Sequence, residues 1–151
     1  MARVLTRAEA KNMGLPGRKS LEIVSGEKGS RAVTLRLVEI PVPKPGEPLR
    51  GPHFHQGFEE CIYVMSGAGC TEADSGKHPL TAGDTILIPS GEKHVTRNTG
   101  AEPLVLLCFF PVADITKRTQ EPLTTETPRR GETGIEFLCD LCASLVKHHA
   151  F

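Results

Sequence analysis

From residue 59 to residue 110 the chain divides into short strand candidates, at 59–65, 69–73, 77–81, 84–89, 93–98 and 103–110. Gly67, Asp74-Ser75-Gly76, Ala82-Gly83, Ser90-Gly91 and Thr99-Gly100 punctuate them as turn signals. Short strands with turns every eight to twelve residues or so specify a sandwich or a barrel. Upstream, RAVTLRLVEI (31–40) is the clearest strand, with Val33, Leu35 and Leu37 alternating with Thr34 and Arg36 at the period of two that a pleated backbone imposes. Leu21–Val24 reads as a further strand, turned by SGEKGS at 25–30. PVPKPGEP (41–48) cannot be a central strand, because its prolines lack the N–H a ladder needs. It reads as a stiff loop leading to His53. Trp is absent, and 15 Gly and 12 Pro accompany few aromatics, a profile that fits an all-β domain.

The ends differ from this middle. Thr6-Arg-Ala-Glu9 is a capping-box pattern with Gly14 as a stop, which predicts a short helix over 7–12. The stretch 116–133 is polar, with Leu123 its only large apolar residue, so it cannot build a core. In 134–151, Ile135, Leu138, Cys139, Cys142, Leu145 and Val146 recur at steps of three and four, the stripe of a helix that docks on the barrel or on a partner subunit. The expected organisation is an extension over 1–30, a barrel over 31–112, a polar linker over 113–133 and a C-terminal helix over 134–151. A chain of 151 residues is long enough for one domain that buries ~70% of its unfolded surface.

Lys plus Arg and Asp plus Glu both number 18, so the formal charge is zero. That balance argues against a broad electrostatic grip on nucleic acid or an anionic membrane. No apolar run approaches membrane-spanning length. The N-terminal stretch lacks the apolar segment of a secretory signal, and the five cysteines are an odd number; a reduced, cytoplasmic setting is expected. The partners expected are a small molecule and a second copy of the chain.

One stretch carries chemistry: GPHFHQGFEECIYVMSG, residues 51–67. His53 and His55 are two apart, so on a strand both imidazoles face one side. A carboxylate from Glu59 or Glu60 follows, and two neutral imidazoles with a carboxylate suit a divalent transition metal. GDTILIPSGEKHVTRN (83–98) supplies a candidate fourth ligand, His94.

These two stretches resemble the paired motifs of the cupins. His53-x-His55, four residues, Glu60, six residues, Gly67 matches the first motif. Gly83, five residues, Pro89-x-Gly91, two residues, His94, three residues, Asn98 matches the second, after a spacer of 15. The glycine expected six positions before the first histidine is absent, and Gly46 stands seven before it, as a loop insertion of one residue would leave it. The resemblance covers roughly residues 31–112. It implies a double-stranded β-helix, a jelly-roll barrel, holding a metal through His53, His55, Glu60 and His94. Glu60 is preferred to Glu59 because it keeps the spacing to Gly67 and shares an inward face with Ile62 and Val64. Gly67, Gly83, Pro89, Gly91 and Asn98 are read as turn and strand-end residues. Cys139-x-x-Cys142 with His149 resembles half a zinc site, but lacks an evident fourth ligand; small residues on an apolar helix face are the preferred account. Cys61 and Cys108 sit in strand patterns and are read as inert.

Three imidazoles and a carboxylate leave a divalent ion near +1, and an octahedral ion so held keeps two adjacent positions open. Such a site favours a bidentate anion: an enolate, a 2-oxo acid, a catecholate or a carboxylate. Iron, manganese, nickel, zinc and copper all accept the set, which names no catalytic side chain beyond the ligands. Ile62, Val64 and the run Thr85, Ile86, Leu87, Ile88 predict an apolar wall, with Arg36 and Arg97 as candidate carboxylate anchors against a simple solvent-facing role. The expected activity is an iron(II) dioxygenase of the quercetinase or diketone-cleaving kind. A redox-neutral lyase, decarboxylase or isomerase is the alternative enzyme, and a binding or sensing module without turnover is the alternative from another class. The resemblance also implies a homodimer.

Overall fold

The computed structural model describes residues 1–120. The helix expected over 134–151, and with it Cys139, Cys142 and His149, lies outside the described residues. Eleven strands follow in order: β1 (Lys11–Asn12), β2 (Lys19–Val24), β3 (Thr34–Ile40), β4 (Phe54–His55), β5 (Glu60–Ser66), β6 (Ala68–Ala73), β7 (Gly76–Thr81), β8 (Thr85–Ile88), β9 (His94–Asn98), β10 (Leu104–Phe110) and β11 (Thr119–Gln120). All pairings are antiparallel. One sheet runs β1-β2-β3-β10-β5-β8, a second β7-β6-β9, and β11 pairs with β4. An isolated bridge between His53 and His94 ties the β4 segment to β9.

The core lies between these layers. Val64 and Leu104 are fully buried, and Val38, Ile62, Leu80 and Leu106 join them from four different strands. Each such side chain contributes about 1.5–3 kcal/mol. Gly67 makes the β5–β6 turn at φ +85°, where a Cβ would stand 2.7 Å from the Pro103 carbonyl oxygen. Only glycine takes both that angle and that contact. Asn98 ties strand ends together: its Nδ2 donates to the Ile40 and Glu102 carbonyls at 3.0 and 2.8 Å.

Two local expectations change. The helix predicted over 7–12 is a single 3₁₀ turn, Arg7–Glu9. Glu9 does accept from the Thr6 N–H and hydroxyl, at 2.9 and 2.7 Å. Beyond it Lys11 and Asn12 pair with Glu22 and Leu21, and the turn buries no residue. A short helix has no packing gain to offset its nucleation, so the ladder takes the backbone. On β3 the period of two holds, but the buried set is Thr34, Arg36, Val38 and Ile40. The polar residues at its start face inward because each has a partner. Thr34 donates to the Val112 carbonyl at 2.7 Å, and Arg36 Nη2 lies 2.6 Å from Glu22 Oε2.

The polar stretch beginning at 116 does not all leave the fold. Ile115 is 3% exposed within the core, a 3₁₀ turn covers Thr116–Arg118, and β11 then pairs with His55 and Phe54.

Candidate metal centre

Three chain segments deliver the four residues. His53 and His94 exchange backbone hydrogen bonds, His53 N–H to His94 O at 2.9 Å and His94 N–H to His53 O at 2.8 Å. His55 is held on β4 by β11. Its ring stacks on Phe58 at 5.2 Å and meets Phe110 edge-on at 5.2 Å. Glu60 opens β5 and points inward, 5% exposed, with Ile62 and Val64, whereas Glu59 is exposed. One ligand atom from each of His53, His55, Glu60 and His94 lies within 4.8 Å of the others.

The outer nitrogens of two rings are fixed. His94 Nδ1 lies 2.9 Å from the Glu92 carbonyl, which can only accept, so Nδ1 carries the proton. The Thr119 hydroxyl donates to the Ile115 carbonyl at 2.8 Å. Its oxygen is therefore left to accept from His55 Nδ1 at 3.0 Å. In the neutral form each ring then turns an Nε2 lone pair inward. Both Nε2 atoms stand 3.0 Å from Glu60 Oε2. Three acceptors converging so closely in a buried place repel unless a proton or a cation lies among them. Backbone and hydroxyl partners of this sort orient metal-binding imidazoles, and the donor set fits a divalent metal.

Protonation follows the same geometry. Burial works to raise Glu60, but the His55 and His94 rings, whenever an Nε2 carries a proton to donate, outweigh it and hold the carboxyl well below its usual range. Burial works to lower His94, yet the Glu60 carboxylate beside it raises it overall. Burial, reinforced by His94, drives His53 down to about 3, so this ring is neutral at physiological pH. Burial and Glu60 together push the Cys108 thiol well up. It stays protonated and inert, like a core residue.

The cluster opens on a cavity of about 210 Å³, the share of roughly seven waters at about 30 Å³ each. Its apolar wall comes from Val38, Ile40, Ile62, Leu106, Phe110 and Ile115. The predicted wall at 85–88 is corrected: Thr85 is exposed, Leu87 is 56% exposed, Ile86 and Ile88 pack in the core, and neither they nor Val64 line the cavity. Neither predicted anchor presents a free charge. Arg36 does reach the cavity but is neutralised by Glu22, and Arg97 pairs with Glu72 at 2.9 Å. His78 lies outside the cluster and bonds Ser75 at 3.1 Å.

Arg50, Thr119 and the Glu92 carbonyl were missed as site groups. Arg50 stands three residues before His53 at the end of the proline loop, a position that was the one available signal. Among the described residues lining the cavity, Glu60 is the sole carboxylate, against Arg18, Arg36 and Arg50.

Residues 42–110, a little under half of the chain, match the cupin domain family, which with two partly matched relatives supports a place in the cupin superfamily. Protein SchB of Streptomyces halstedii is 41% identical over 67 residues, 44% of this chain and 48% of that protein. An oxalate-binding protein of Thermotoga maritima is 41% identical over 61 residues, 40% of this chain and 50% of the other. The chain thus spans about half the length of the curated relatives it matches. Among solved structures, the polyketide cyclase RemF of Streptomyces resistomycificus superposes with TM-score 0.65 at 21% identity, over 85% of this chain and 90% of RemF. That likeness shows the fold.

Proposed function

We propose that this cupin holds a divalent transition metal through His53, His55, Glu60 and His94, and that it binds the enolate of a small, partly apolar 1,3-dicarbonyl compound for redox-neutral chemistry. The observation that carries this is the convergence of three metal-ready acceptors around one point at the wall of an apolar cavity. When bound, the metal supplies Lewis-acid polarisation of the substrate oxygens. The chain does the rest. Val38, Ile40, Leu106 and Phe110 exclude water from the carbon skeleton, and Arg50, which pairs with no carboxylate among the described residues, favours an anion. Thr119 and the Glu92 carbonyl hold the protons of His55 and His94 on Nδ1, away from the ligand atoms. Similarity to a polyketide cyclase and to an oxalate-binding protein supports a ligand that chelates through two oxygens.

The same donor set accepts iron, which supports a second reading, a diketone- or flavonol-cleaving dioxygenase. We further propose a homodimer built on the outer face of the six-stranded sheet. Elemental analysis of freshly purified protein, then oxygen uptake with diketones and flavonols, separates these readings. Bound metal with enolate binding and no oxygen uptake is the expected result. Iron with stoichiometric uptake establishes the dioxygenase instead. Binding without turnover of any dicarbonyl establishes a binding module, and no metal after reconstitution removes both enzyme readings.

A further inference from the structure

Arg50 lines the metal cavity beside His53 and Thr96. It also lines a second hollow, of about 110 Å³, under the proline loop with Ile40, Pro41 and Leu49. It therefore stands in the wall between the two. Nη2 donates to the Thr96 carbonyl at 3.0 Å, and among the described residues no carboxylate pairs with Arg50. Arg36 and Arg97, by contrast, are matched by Glu22 and Glu72. A guanidinium has five N–H donors in a fixed fork, so most of this fork has no protein acceptor among the described residues. Burial, with Arg18 and Arg97 crowding it, pulls Arg50 down to about 10, which leaves it charged at neutral pH. A half-buried cation between apolar walls, with no carboxylate partner among the described residues, is costly, and a bound anion relieves it.

Position fixes where such an anion would sit. Thr96 follows His94 by two residues on β9, and both are buried and line the cavity. Two residues of strand span about 7 Å, so the guanidinium lies one short carbon chain away from the ligand cluster. We propose that Arg50 binds a carboxylate carried by the substrate, so that the compound this site is built for is a diketo acid: an enolisable oxygen pair for the metal and a carboxylate a few bonds further on. This rests on the dicarbonyl reading above, and adds a second point of attachment that sets specificity.

The test uses the full chain loaded with zinc and two probes that share one chelating head. These are 2,4-pentanedione and 3,5-dioxohexanoate, with binding read from the enolate absorbance. A charge-assisted bidentate contact predicts that the acid binds roughly tenfold to a hundredfold tighter than the diketone. In Arg50→Gln the preference of acid over diketone should fall to within about threefold, and Arg50→Lys should fall between. On the unmodified protein, the methyl ester of 3,5-dioxohexanoate should bind like the diketone, a control that does not depend on any variant folding. Equal binding of acid and diketone by the natural chain overturns the anchor but leaves the dicarbonyl reading standing. So does a preference that survives Arg50→Gln. Failure of zinc-loaded protein to bind either probe removes the dicarbonyl reading, and the anchor with it.

Discussion

Thr119→Val removes one oxygen and almost no volume, and it isolates the geometry that prepares His55. The Thr119 hydroxyl accepts from His55 Nδ1 at 3.0 Å and donates to the Ile115 carbonyl at 2.8 Å. Valine strands both partners, in a place where the His55 side chain is 4% exposed. Unsatisfied buried groups cost about 1–3 kcal/mol, so the variant should melt a few degrees lower. The larger consequence is for the metal. With Nδ1 unsupported, the proton moves to Nε2, where Glu60 Oε2 waits at 3.0 Å. That bond to a charged acceptor is worth about 1.5–3 kcal/mol and must be broken before the metal can bind. The expected loss of affinity is roughly tenfold to a hundredfold, measured by competition of the metal-free protein with a chromophoric zinc chelator. Nitrogen NMR of His55 should show the change of tautomer directly. Thr119→Ser keeps the hydroxyl and should bind within about threefold of the natural chain. A Thr119→Val protein that binds zinc within about twofold refutes the argument, as does a serine variant that loses as much as the valine one.

Three further outcomes follow from the same structure. Glu60→Ala should abolish most metal occupancy by elemental analysis, whereas Glu59→Ala, at an exposed position, should barely change it; equal losses would place the carboxylate ligand wrongly. His53 is neutral down to about pH 3 in the fold but takes its proton near 6.5 when unfolded. The unfolded chain therefore binds the extra proton between those values, and stability of the metal-free protein should fall as pH falls through that window, by about 1.4 kcal/mol per unit. Urea titrations should find this slope missing in His53→Asn, and an unaltered slope would reject the assignment. Leu87 and Phe109 both pair with Cys61, and Tyr63 and Met65 continue its face of β5. These four are 40–56% exposed, an apolar patch that a second copy should cover. Light scattering should give a dimer, and Leu87→Glu should shift it to monomer; a monomeric natural chain rejects the proposal.

The β-rich architecture and the convergence of His53, His55, Glu60 and His94 were legible because both follow from spacing within short motifs. Alternation placed Glu60, Ile62 and Val64 on one face, and the strand limits lie within three residues of the runs read from 21–24, 31–40 and 59–110. What failed was non-local. Arg36 looks like a surface strand residue until Glu22, fourteen residues away in sequence, is found beside it on the next strand. Leu87 looks like core until the sheet leaves its outer face open. Thr119 sits in a polar stretch whose composition gives no hint that it will reach His55. The capping box at Thr6 formed as read, but a cap specifies only where a helix begins, and nothing there holds a second turn.

The paired amides of His53 and His94 carry one last implication. Because His53 and His94 clasp each other through the main chain, the backbones of these two proposed ligands cannot part without breaking that bridge. Metal exchange should then track opening of this rung, and hydrogen–deuterium exchange at these two amides should slow together when zinc is bound.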